Sequence, residues 1–420
     1  MRFQLLTLTL ILSLIISFSS GQNPPGKNTQ TSIKLKNQTS RPGVYTTQIN
    51  TQNLIPVIRS VETSIPVFIG YSQKAIYRNS SAFNQIIEIG SFAEYEQIFG
   101  ESTQQFYLWE SVKLFYENGG GKCFIISVGS TNSSLQRSSL EKGLQISRKA
   151  NAQLVLVPDA VGLPANDFYQ IQNSMLSVCA KMKDRFAILN TLKPGSNVQN
   201  DIQDFRAHTS GNDLGYGAVY YPWLITNSNQ TIPPSGAVAG IIAQNDRNKG
   251  VWKAPANISL RGIQGLTNAL NSAQRDMLNV SPGDGKSINS IVTFSGKGIV
   301  VWGARTLAGN DNEWRYISAR RLGIMIENSI QQGIQWVSSK PNDANLWTQI
   351  ETQISNYLTG LWRDGALVGT KPEHAFFVKC GLNKTMTAQD ISQGKLIIQI
   401  GLSMVRPAEF TVMSIEKRVN

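Results

Sequence analysis

Apolar residues follow two rhythms along this chain. Through the first two thirds they form short unbroken runs: Ile65 to Gly70, Lys122 to Val128, Leu154 to Val157, Phe186 to Leu189 and Gly217 to Tyr221. Runs of this length, rich in β-branched residues, predict buried strands. Helical patterns lie between them. Ser91-Phe-Ala-Glu94 has capping-box spacing and opens a helix predicted to end near Gly100. Leu108, Val112 and Phe115 share one helix face, and Gly119-Gly120-Gly121 would stop that helix, because glycine tolerates the left-handed backbone of a helix end. Further helices are predicted from about Leu140 to Ala150 and from Asp167 to Lys183. Strands alternating with such helices imply βαβ units. The predicted fold class is α/β, with a mainly parallel sheet and flanking helices.

The rhythm changes after Ser290. Ile299 to Trp302 reads as a strand. Ala319, Leu322, Ile326 and Ile330 form an apolar stripe on a helix predicted from Trp314 to Ile330. Leu346, Ile350, Ile354, Leu358 and Leu361 form a second stripe, ended by Gly365. Strands follow at Ala375 to Val378 and Leu396 to Ile400. From Glu409 to Val419 the residues alternate, with Phe410 and Val412 facing one way and Thr411, Met413 and Ile415 the other. This is the pattern of a C-terminal α+β domain with a strand-like tail. Near the other end, Arg41 to Asn50 also alternates, with Tyr45, Thr47 and Ile49 opposite Val44, Thr46 and Gln48. A lone strand so far ahead of a domain needs a partner from elsewhere.

The first residues read as a secretory signal: Arg2, an apolar run from Leu5 to Phe18, then Ser19-Ser20-Gly21. The run is short for a membrane span, which needs about 20 apolar residues. Residues 22–40 are rich in Asn, Gln, Thr, Lys and Pro and read as a flexible arm. The predicted organisation is therefore a signal-like segment at 1–21, an arm with a donated strand at 22–58, an α/β domain at 59–289 and an α+β domain at 290–420.

Charge and chemistry change this picture little. Lys and Arg outnumber Asp and Glu by 39 to 27, a formal net charge of +12, but the basic residues are spread rather than clustered. That distribution does not by itself mark a nucleic-acid surface. The histidines are His208 and His374. The cysteines, Cys123, Cys179 and Cys380, are odd in number and far apart, with neither metal-ligand spacing nor a disulfide framework. Gly283-Asp-Gly-Lys-Ser287 echoes the end of a phosphate-binding loop, but Val280 stands where that loop needs its first glycine. Ser295, in Thr293-Phe-Ser-Gly-Lys297, lacks the first glycine of a nucleophile elbow. Asp159 follows a strand at a predicted sheet edge, where α/β enzymes keep their sites, although a turn after Pro158 is the simpler role. A secreted α/β hydrolase would need a catalytic cluster, and none is visible. No catalytic, cofactor or metal residue is assigned, and the reading moves from catalysis to assembly.

A series of motifs, in order along the chain, resembles the contractile tail sheath proteins of phages and phage-like injection systems. They are Arg41-Pro-Gly-Val-Tyr45, Phe115-Tyr-Glu-Asn-Gly-Gly-Gly-Lys-Cys123, Val157-Pro-Asp-Ala160, Asp184-Arg-Phe-Ala-Ile-Leu189 and Ala218-Val-Tyr-Tyr-Pro-Trp223. Pro233-Pro-Ser-Gly-Ala-Val-Ala-Gly240 and Asp246-Arg-Asn-Lys-Gly-Val-Trp-Lys-Ala-Pro-Ala-Asn257 follow. The last are Val301-Trp-Gly-Ala-Arg-Thr306, Trp314-Arg-Tyr316 with Arg320 and Arg321, Leu361-Trp-Arg-Asp-Gly-Ala-Leu-Val-Gly369 and Arg406-Pro-Ala-Glu-Phe410.

The resemblance implies a structural subunit, not an enzyme. It implies helical polymerisation around an inner tube, with terminal strands added to neighbouring subunits, and contraction that drives the tube. The residues expected to carry strand exchange are Val44, Tyr45 and Ile49 at one end and Phe410, Val412, Met413 and Ile415 at the other. Arg320 and Arg321 are expected to make charge contacts between subunits or toward the tube. The implied partners are further copies of the chain, the inner tube protein, and baseplate and tail terminator proteins. No directly bound nucleic acid and no cofactor are expected. Such sheaths assemble inside the producing cell and end in a virion or tail-like particle, which conflicts with an export signal. An exported surface or adhesive polymer that reuses the sheath fold is the alternative.

Overall fold

The computed structural model describes residues 56–103 and 105–419. The signal-like segment and the strand residues Val44, Tyr45 and Ile49 lie outside the described residues.

The unbroken apolar runs become the middle of one nine-stranded sheet. Its strands are β1 (Pro66–Ser72), β2 (Ile87–Ile89), β3 (Cys123–Ser130), β4 (Leu154–Leu156), β5 (Phe186–Asn190), β6 (Gly217–Tyr221), β7 (Ile258–Ser259), β8 (Asn289–Phe294) and β9 (Gly298–Val301). Their spatial order is β7-β9-β8-β6-β5-β4-β1-β3-β2. The run from β8 to β3 is parallel throughout, and both margins are antiparallel. Parallel strands covered on both faces have no solvent side, which is why they read as continuous apolar runs.

Helices cover both faces. They are α1 (Phe92–Phe99), α2 (Leu108–Glu117), α3 (Arg137–Ser147), α4 (Ala165–Met182), α5 (Val198–His208), α6 (Ser235–Lys249) and α7 (Ser272–Asn279). Successive residues of β1 separate the two cores. Phe68 packs with Leu108, Val112 and Phe115 of α2 and Val238 and Ile241 of α6. Val67 and Ile69 pack with Leu140 and Leu144 of α3 and Ile171 and Met175 of α4. At α1, Ser91 accepts from the Glu94 amide at 3.2 Å, but the Glu94 carboxylate reaches Gly90 N rather than Ser91 N, so the predicted capping box is shifted by one residue.

Helix α6 has no apolar stripe to announce it. It is buried on nearly all sides and lies against α2. A Cβ at Gly236 would stand 2.2 Å from Ser111 O, and one at Gly240 2.5 Å from Phe115 O. Two glycines four residues apart thus let the two helix backbones meet.

The second layer begins at α8 (Ile317–Gly333) and continues through α9 (Ala344–Arg363) to β10 (Phe376–Cys380), β11 (Lys395–Leu402) and β12 (Thr411–Arg418). These strands form an antiparallel sheet in the order β10-β11-β12. Both predicted helical stripes face it: Leu322, Ile326, Ile330, Ile350, Ile354 and Leu358 share a core with Leu396, Ile398, Ile400, Met413 and Ile415. Helix α8 starts later than Trp314 because the Asp311 carboxylate accepts from the amides of Glu313 and Trp314, both at 2.7 Å, and holds a turn there.

The change of rhythm at residue 290 does not separate two sheets. Asn289 and Ser290 of β8 pair with Tyr220 and Tyr221 of β6, and β9 extends the same sheet. A short Val/Ile run specifies a buried strand without saying which sheet receives it.

Candidate assembly site

The residues expected to carry the C-terminal arm lie in a strand of the chain's own sheet. Every residue of β12 is in register with β11, from Thr411↔Leu402 to Lys395↔Arg418. The predicted alternation is present. Met413 and Ile415 are buried, while Val412 is 55% exposed on the opposite face. Phe410 packs edge-on against Phe377 of β10, with ring centroids 5.3 Å apart. Within the single chain, the segment expected as an exchanged C-terminal arm folds onto β11, where Met413 and Ile415 share a core with α8 and α9.

What remains free is the far edge of β12. It is the end strand of its sheet, eight residues long, and among the described residues no strand pairs with its outer side. The end strands of the central sheet, β7 and β2, have only two and three residues. Short end strands leave few unpaired backbone groups, whereas a long one offers a row of donors and acceptors to another chain.

Of the two arginines expected at a charge contact, Arg321 is buried in an ion pair of the chain's own and Arg320 is half-buried against aromatic rings. Arg321 of α8 is 3% exposed and grips Asp246 of α6 with two hydrogen bonds, at 2.9 and 2.5 Å. It also donates to Thr63 O at 2.8 Å. The Arg320 guanidinium lies 3.6 Å from the centre of the Trp314 ring and 4.2 Å from that of Tyr216, and donates to Gly215 O. Burial lowers its pKa to about 10. Partners 75 residues distant in sequence take up the Arg321 charge, and spacing along one helix could not reveal them.

The chain's other chemistry is also held within the fold. Asp159 lies just past the C-terminal end of β4, an interior strand of the sheet. It sits where the chain crosses from β3, on one side of β1, to β4 on the other, the kind of switch point at which α/β proteins bind ligands. Here the position is filled by the protein's own carboxylate. Asp159 accepts from the amides of Tyr71 at 2.6 Å, Tyr107 at 2.5 Å and Leu108 at 3.0 Å, and so caps the start of α2. Gly70 is required beside it, since a Cβ there would stand 2.4 Å from Asp159 Oδ2. Burial raises the Asp159 pKa to about 7 against the lowering effect of those three donors.

The glycine-rich turn at 283–287 leads into β8, not into a helix, and Lys286 donates to Arg206 O. His208 stacks on Tyr169 with centroids 4.7 Å apart, and His374 bonds to Thr370. The three cysteines are free and buried. Among the described residues no group of three or more His, Cys, Asp or Glu could hold a metal ion, and no helix is long and apolar enough to cross a membrane.

Comparison with known proteins places this architecture. Residues 142–307 match the model of the phage tail sheath protein central domain, and residues 309–418 match that of the phage tail sheath C-terminal domain. The chain belongs to the phage tail sheath family. The junction between the two family domains falls between β9 and α8, where the chain passes from one sheet layer to the other. A sheath chain in the contracted PVC complex, an extracellular contractile injection system, is 30% identical, with a TM-score of 0.69 over 90% of this chain and 98% of that one. The contracted helical sheath of the anti-feeding prophage gives 29% identity and a TM-score of 0.69 over 90% and 99%. A prophage major tail sheath protein of Pseudomonas aeruginosa strain UCBPP-PA14 is 23% identical over 190 residues, 44% of this chain. The chain spans 45% of the length of that relative.

Proposed function

We propose that this chain is the structural subunit of a contractile sheath. It polymerises helically around an inner tube and contracts by rigid-body rearrangement between two packings. The observation that carries this reading is the long open edge of β12 in a chain of the sheath family. That edge receives the alternating segment at Arg41 to Asn50 of a neighbouring copy, with Val44, Tyr45 and Ile49 as its apolar residues. Main-chain hydrogen bonds supply affinity, and alternate side chains supply register. The C-terminal strand is thus the acceptor and the N-terminal segment the donor. Head-to-tail contacts that do not close into a ring produce an open helix. The inner tube protein, the baseplate and the tail terminator are the further partners, and a virion or tail-like particle is the location. No nucleotide is consumed, because the stroke draws on the free-energy difference between the two packings.

Deleting residues 41–50 from the full chain tests the donor. Residues from Ile55 onward form one compact unit, so the variant is expected to melt as the parent does. It is expected to form no tubes by electron microscopy and to sediment as a monomer. Tubes of normal length from this variant would overturn the strand-exchange reading.

A further inference from the structure

Residues 56–65, at the start of the described chain, contain neither helix nor strand. This strap crosses both layers. Its first half lies on the C-terminal layer. Gln353 of α9 donates to Pro56 O, Ser60 Oγ and Tyr357 Oη are 2.9 Å apart, and Val61 N donates to Ser329 of α8 at 3.0 Å. Ile58 is buried against Gly333, where a Cβ would stand 2.6 Å from its side chain. Its second half reaches the central sheet, where Ile65 O accepts from Gln153 N at 2.8 Å.

At the crossing, three elements meet in one closed set of hydrogen bonds. Arg321 of α8 holds both carboxylate oxygens of Asp246 on α6. Thr63 of the strap donates its hydroxyl to Asp246 Oδ2 at 2.6 Å and accepts from Arg321 at its carbonyl. Two cavities border this point. One, of about 350 Å³, is lined by Glu62, Thr63, Lys122 and Asp246, and the other, of about 70 Å³, by Val61, Thr63, Asp184 and Arg321. Thr63 is half-buried between these two clefts, and its polar contacts hold it. Burying two charges costs desolvation that their attraction only offsets, so such a pair adds little net stability; its attested use is to fix a register.

We propose that the Arg321–Asp246–Thr63 clamp is a positioning device. It fixes the root of the N-terminal arm to both layers at once, so that a pull on the arm by a neighbouring subunit is delivered to the whole subunit rather than to α8 and α9 alone. The proposal rests on the strand-exchange reading above and names the residues that make it mechanical. Without the clamp, the strap is free to peel away from α6 and α8 under load.

The test uses the full chain with Thr63→Val, which removes one hydrogen bond to a charged group and keeps the buried ion pair. A bond of that kind is worth enough to change local opening by roughly tenfold or more. Hydrogen exchange of the strap amides is expected to speed up by about that factor. The unfolding midpoint is expected to fall by no more than the loss of that one bond, and tubes are expected to become shorter under shear. Thr63→Ser restores the hydroxyl and is expected to recover both strap protection and tube length. Exchange that is unchanged in Thr63→Val overturns the proposal. So do Thr63→Val tubes as long and shear-resistant as those of the parent. If the parent chain forms no tubes, with or without an inner tube protein, the assembly reading falls instead. The exchange comparison then still decides whether the clamp holds the strap.

Discussion

The central sheet ends in strands of three and two residues, β2 and β7, and its buried carboxylate Asp159 is answered from within by three amides. The C-terminal sheet ends in a strand of eight residues with Val412 in solvent. Both are built on buried aliphatic cores, and only their margins differ. The difference teaches where to look for function in a chain without catalytic residues. On the strand-exchange proposal, the sealed sheet acts as a body and the extendable one as a joint.

The most severe way to break this comparison is to remove the joint. Deleting residues 408–420 takes away β12, and with it Met413 and Ile415, each worth about 2–5 kcal/mol as a buried large side chain. The C-terminal layer is expected to unfold while the central sheet keeps its protection. Hydrogen exchange resolved by segment checks this, and simultaneous loss of both layers would show that they fold as one unit. Next comes the junction. Arg321→Met strands the Asp246 charge in the interior and is expected to cost about 3–5 kcal/mol in urea unfolding. Combining it with Asp246→Leu is expected to recover most of that loss. A double variant as unstable as the single one would mean that packing, not charge, decides the site.

Asp159 probes the sealed sheet. Asp159→Asn removes acceptor capacity from a site with three donors and is expected to cost about 1–3 kcal/mol. The pH profile sharpens the test. The folded-state pKa is raised from the ordinary aspartate value of 3.8 to about 7. Between those values the folded chain binds more protons than the unfolded one, so this group's contribution to stability falls as pH rises from about 4 to 7. Asp159→Asn is expected to flatten that slope in thermal melts, and an unchanged slope would assign it to other groups. The smallest effect on folding is expected at the open edge. Val412→Lys lies on an exposed face and is expected to shift stability by less than about 0.5 kcal/mol. It is nevertheless expected to reduce tube formation, since an added lysine discourages edge pairing. Sedimentation at matched concentration reads that difference.

Much of the fold was legible because burial leaves a periodic trace. The runs at Leu154 and Phe186 could only be buried strands, and the stripes at Leu322 and Leu346 could only be helix faces. Helix α6 left no such trace, because a helix buried all round has no polar side to contrast with its apolar one. The alternation from Phe410 to Ile415 was read with its faces correctly assigned, while its partner within the chain, β11, was not foreseen. Alternation reports that one side of a strand is covered and carries no information about which sheet covers it. The arginines failed for a related reason. Charges six and seven residues beyond a predicted helix start suggest a surface, yet Asp246 waits for Arg321 across the fold. Family motifs located the sheath family because they record the outcome of those long-range contacts.

The three buried thiols carry one more consequence. Burial raises the pKa of Cys123 to about 12 and of Cys380 to about 12, and likewise raises that of Cys179. A thiol that stays protonated and out of reach is neither oxidised nor exchanged. The fold is therefore indifferent to the redox state of its surroundings: the same subunit is expected to persist in a reducing cell interior, in an oxidising compartment or in a particle released into air-saturated medium.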